Sequence, residues 1–152
     1  MPLRTLVIGV GNLLRCDDGA GIHVVNKLRE LPLDIETLDV ALGSIEILEA
    51  MKNYQRVIII DAIITGSDPG TIFFINLPDS NLETQFSGSH GIDLLTTLEL
   101  GKRLYGDEMP EEIIVIGIEA ADITNLEEKC TPEVEKAVNK VVKEISDIVG
   151  RG

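Results

Sequence analysis

The sequence predicts a single α/β domain built on a mostly parallel sheet with one antiparallel strand. Three observations carry this prediction. Apolar runs alternate with segments of helical periodicity in the order strand, helix, strand, helix, strand, which argues parallel strands joined by right-handed crossovers. The runs are rich in Val and Ile, as strands buried on both faces require. The link between Asp61 and the run from Thr71 to Leu77 is too short for a crossover and contains the turn dipeptide Pro69-Gly70, so the strand it introduces is antiparallel to a neighbour.

The elements follow in order. Leu3 to Val10 is an apolar run closed by the turn Gly9-Val10-Gly11-Asn12, and it reads as the first and central strand. After Asp17-Asp18-Gly19, Ile22, Val25 and Leu28 recur at helical spacing, with Val24 and Leu31 beside them, until Pro32 stops the helix. Ile35 to Val40 is a second strand. Ser44 to Met51 is a helix with Ile45, Leu48 and Met51 on one face, and Arg56 to Ile60 is a third strand closed by Asp61. Residues 78–90 form a polar loop, long enough to serve function, that delivers His90 to the start of a helix running to about Leu104 on Leu94, Leu95 and Leu98. Ile113 to Ile118 is the fifth strand. Thr131-Pro132 caps a last helix whose Val134, Val138, Val141, Ile145 and Ile148 make one apolar stripe.

Bulk properties narrow the function. At 152 residues the chain suits one domain over residues 1–152, which buries roughly two-thirds of its unfolded surface without staples. A formal charge of -13, with no basic cluster longer than Lys102-Arg103, repels phosphate backbones and argues against nucleic acid as a partner. The absence of tryptophan removes one kind of base-stacking platform. Two cysteines, Cys16 and Cys130, make neither a disulfide framework nor a metal knuckle, so the cytoplasm is the expected compartment. No apolar stretch reaches the roughly 18 residues of a membrane span, since Asp61 breaks the longest candidate.

In open α/β sheets, ligands bind outside the carboxyl ends of the strands, and three ionisable groups are expected there: Asp18, Asp61 and His90. A carboxylate at the end of the buried run Val57 to Ile60 is costly unless a charge, a metal or several donors hold it; the competing reading is a turn cap. Two carboxylates and an imidazole make a three-ligand metal set with open coordination positions, as a site acting on an exogenous group needs. Asp17 competes with Asp18 for the role, and both together also read as a solvated acidic turn ahead of a helix. Gly9 and Gly11 suggest a dinucleotide loop with Asp39 as the ribose acid, but Leu14 stands where the third glycine belongs and Asp17-Asp18 oppose a pyrophosphate. Cys16 reads as a small buried thiol rather than a soft ligand, and His23 as a surface or boundary residue.

Gly9-Val10-Gly11-Asn12-Leu13-Leu14, Asp17-Asp18-Gly19-Ala20-Gly21, Asp61-Ala62 after an apolar strand, and Ser89-His90 opening a helix occur in one order over nearly the whole chain. Together they resemble the hydrogenase maturation endopeptidases. The resemblance implies a three-layer αβα sandwich and the removal of a short carboxyl-terminal extension from the large-subunit precursor of a nickel-iron hydrogenase once nickel is installed. It makes the residues matching Asp18, Asp61 and His90 the metal-contacting ones, with nickel carried by the substrate. For the hydrolytic step it leaves open whether metal polarises the carbonyl or activates water, or a carboxylate acts as general base.

Two loops depart from the family pattern. Asp39 is followed by Val40-Ala41-Leu42 before Gly43-Ser44, and Gly117-Ile118-Glu119-Ala120-Ala121 lacks the proline often found after the fifth strand. Two other readings compete. A peptidyl-tRNA hydrolase shares a Gly-Asn turn like Gly11-Asn12, but this chain lacks the following proline and glycine and has the wrong charge for tRNA. A non-catalytic nickel-binding maturation factor would need the same ligands without a peptide cleft.

Overall fold

β1 (Thr5–Val10) buries all six of its residues, and β3 (Arg56–Ile63) all eight. In the computed structural model, which describes residues 3–41, 45–77 and 91–150, they lie side by side and parallel at the heart of a five-stranded sheet. β2 (Glu36–Val40) pairs parallel with the free side of β1, and β5 (Glu112–Glu119) parallel with β3. β4 (Ile72–Leu77) runs antiparallel beyond β5, giving the order β2-β1-β3-β5-β4. The expected antiparallel strand is thus present. The central strand is β3, not β1, because the last two strands both add beyond β3.

Alternation along the strands divides the core into two layers. Val7, Ile58, Ile60, Ile114, Ile116 and Ile118 face α1 (Ala20–Arg29) and the final helix, α4 (Pro132–Gly150). Leu6, Ile8, Val57, Ile59, Ile113 and Val115 face α2 (Ile45–Met51) and α3 (Gly91–Tyr105), which contribute Ile47, Leu48, Met51 and Leu98. The predicted stripe of α4 is buried at Val134, Val138, Val141 and Ile145. α1 ends at Arg29, so Leu31 lies outside the helix and stays exposed. The side chains of Ile45, Leu94 and Leu95, also expected in this core, lie outside the described residues.

Helices on both faces of a mostly parallel sheet make the three-layer αβα sandwich. The chain leaves β1 through α1 on one face to reach β2, then passes through α2 on the other face to β3. This reversal opens a crevice between the carboxyl ends of β1 and β3.

One glycine sets how closely α1 approaches that crevice. A Cβ on Gly21 would stand 2.3 Å from the Ile60 carbonyl oxygen and 3.0 Å from that of Val10. Backbone cannot yield as a side-chain tip can, so Gly21→Ala is expected to destabilise the fold by about 3 kcal/mol. Thermal melting should then fall by roughly 6–12 °C.

Candidate functional site at the carboxyl edge

Asp18 and Asp61 come to this edge from different elements. Asp18 lies in a short 3₁₀ turn, Cys16–Gly19, between β1 and α1, and the turn packs against β3. The Gly21 contact seats the start of α1 on Ile60, the residue before Asp61. At Gly11 φ is +146°, and an added Cβ would meet the Asp18 carbonyl oxygen at 1.9 Å. The loop thus folds back on the turn, and the Asn12 N–H donates to Asp18 Oδ2 at 3.1 Å and to its carbonyl at 3.3 Å. These glycines serve close backbone approach and not a pyrophosphate, in line with rejection of the dinucleotide reading.

Asp61 does not close its strand, as expected from sequence, but lies inside it. Asp61, Ala62 and Ile63 pair with Gly117, Ile118 and Glu119 of β5, and this partner ladder carries the strand past the acid. That position excludes the turn-cap reading. Alternation puts Asp61 on the α2/α3 side of the sheet, fully buried, with Gly117 opposite it presenting no side chain. Gly117-Ile118-Glu119 accordingly belongs to a strand, not to a loop flanking the cleft.

The structure separates the two adjacent acids. Asp17 is fully buried and accepts the backbone N–H groups of Ala121 (2.9 Å), Asp122 (3.0 Å) and Thr131 (2.7 Å), with the Thr131 hydroxyl at 2.8 Å. Its own N–H donates to the Asp122 carbonyl at 2.9 Å. Asp17 therefore fastens the loop after β5 and the approach to α4 onto the turn after β1. Asp18, 4% exposed, is the acid turned toward the crevice side of the loop, where it meets Asn12. Burial of both contradicts the solvated-turn reading, since the β5 loop covers the pair.

His90 lies outside the described residues, so its place relative to the two acids is not stated. Among the described residues no three His, Cys, Asp or Glu side chains gather as a metal site. Cys16 is buried as expected, its Sγ 3.9 Å from Asp17 Oδ1. Burial, reinforced by the Asp17 charge, raises the Cys16 thiol and pushes that of Cys130 up to about 12, so neither supplies a thiolate at neutral pH. His23 is half-buried and stands 2.6 Å from the Glu128 carbonyl.

One buried acid was missed from sequence. Glu119, at the end of β5, accepts the Thr65 N–H at 3.0 and 3.2 Å and the Thr65 hydroxyl, and fixes the link between β3 and β4. An acid ending a β-branched run is the same signal that singled out Asp61.

Residues 22–148 match the family model described as hydrogenase maturation protease. A Methanocaldococcus jannaschii protein provisionally named a hydrogenase maturation protease is 31% identical over 91% of each chain. The structure is similar to the hydrogenase maturating endopeptidase HybD from Escherichia coli, with a TM-score of 0.81 and 26% identity over 98% of this chain and 93% of that one. It is also similar to the [NiFe] hydrogenase maturation protease HybD from Thermococcus kodakarensis, with a TM-score of 0.83 and 26% identity over 97% and 99%. No helix among the described residues is long and apolar enough to cross a membrane. A family match across most of the chain, a shared fold over nearly all of it and two buried acids at the switch point agree: the chain belongs to the hydrogenase maturation protease family.

Proposed function

We propose that this maturation protease removes a carboxyl-terminal extension from the nickel-loaded large-subunit precursor of a nickel-iron hydrogenase, and that Asp18, Asp61 and His90 contact the nickel of the substrate. The observation that carries the reading is the burial of Asp18 and Asp61 at the switch point, held there by backbone contacts around Gly11 and Gly21. Two carboxylate oxygens and an imidazole nitrogen suit a divalent nickel centre that keeps its other ligands on the precursor. Metal occupancy then serves as the recognition signal, and a nickel-free precursor lacks the group these residues bind. Hydrolysis delivers water to the scissile carbonyl carbon, breaks the C–N bond and returns a proton to the leaving amine; the carboxylates stand ready as general bases for the water.

Intact-mass analysis of the nickel-loaded and nickel-free precursor tests this. The expected result is loss of a carboxyl-terminal peptide from the loaded form alone, slowed roughly 10²–10⁴-fold by Asp18→Asn. Equal cleavage of both forms would overturn nickel recognition. Nickel binding without cleavage of any cognate precursor would return the site to the metal-carrier reading.

A further inference from the structure

The loops that Asp17 joins carry two side chains for which the fold has no use. Leu126 is 82% exposed and Leu14 is 57% exposed, although most large apolar residues of the chain are buried. Each immediately precedes a member of the isolated parallel bridge Arg15↔Glu127. The Cys16 N–H donates to the Glu127 carbonyl at 2.7 Å across the same junction. Both leucines therefore stand on one rim, on the loop that carries Asp18 and on the loop fastened to it.

The rim is built to hold its shape. The Asp122 carboxylate accepts the N–H of Thr124 at 3.0 Å and of Asn125 at 3.1 Å, together with both of their side chains, and these donors hold its carboxyl below the usual carboxylate range. An apolar side chain on such an ordered loop loses little freedom when covered, which is what makes a contact residue effective.

We propose that Leu14 and Leu126 form a docking rim for the folded body of the large-subunit precursor, outside the cleft that takes the extension; this rests on the function proposed above. Charge and area select the occupant. Two copies of a chain carrying -13 repel each other, and two leucines fall far short of the roughly 800 Å² per partner of a stable interface. The exposed rim itself is balanced, with Arg15 and Lys129 against Glu127 and Glu128, so it is a place where this acidic protein can meet a different one. A small apolar contact beside the site suits a substrate that must leave after one cut.

The test is steady-state cleavage of nickel-loaded precursor by wild type, by the Leu14→Ser/Leu126→Ser double variant and by Leu126→Met. The double variant should raise KM roughly tenfold or more, the scale expected when two leucines no longer leave water, with kcat and the melting curve unchanged. Leu126→Met should stay near wild type. Wild-type cleavage with an unchanged KM in the double variant overturns the docking rim and leaves the protease reading standing. Failure of wild type to cleave or bind the precursor removes that reading and the rim with it.

Discussion

Asp61→Asn is expected to slow precursor processing by roughly 10²–10⁴-fold while leaving the melting temperature within a few degrees of wild type. The two effects separate because of where Asp61 lies. Its backbone is held by the β3–β5 ladder whatever the side chain, and Gly117 across the ladder leaves room for an isosteric amide. Asparagine also removes the cost of keeping a charge fully buried. It takes away the negative charge that a cationic metal seeks. Measuring cleavage by mass and unfolding by circular dichroism on the same preparation checks both halves. An unfolded variant would make Asp61 structural, and a folded variant with full activity would remove it from the site.

Asp17→Ala is expected to do the reverse and act on stability first. Deleting the carboxylate strands three backbone N–H groups and a hydroxyl that all point at one place. Each buried donor left without an acceptor costs about 1–3 kcal/mol, so a loss of about 4 kcal/mol is a moderate expectation after some water enters. For a chain of this size that lowers the melting temperature by roughly 8–16 °C. Asp17→Asn should rescue little, because its NH₂ group turns a donor toward donors on one side. Calorimetric unfolding of both variants checks this, and a shift below 3 °C in Asp17→Ala would show that the clasp contributes little.

These two residues also mark how far the sequence could be read. The five strands and the four main helices were legible because each buries a face with its own period, and the antiparallel strand because Pro69-Gly70 left no room for a crossover. Asp61 was singled out correctly as a buried acid but placed at a strand end, since nothing local shows that Gly117-Ile118-Glu119 continues the pairing. The same cause hid Glu119. Asp17 and Asp18 could not be told apart because they differ by one step of a tight turn. The deciding donors, on Ala121, Asp122 and Thr131, lie more than a hundred residues away. Distant backbone donors leave no pattern in the residues they serve.

That separation also orders events during synthesis. The turn bearing Asp18 is among the first parts of the chain to leave the ribosome, but the backbone that clasps Asp17 follows more than a hundred residues later. At about 5–20 residues per second, the delay is on the order of ten seconds. In that interval β1 and α1 can pair locally, whereas long-range closure must wait for the β5 loop. The clasp thus acts as a completion check: a nascent or truncated chain that stops before Thr131 has its first acidic turn but not the clasp that fixes it. A nuclease-like encounter with unready substrate is replaced by silence until the last helix is nearly made.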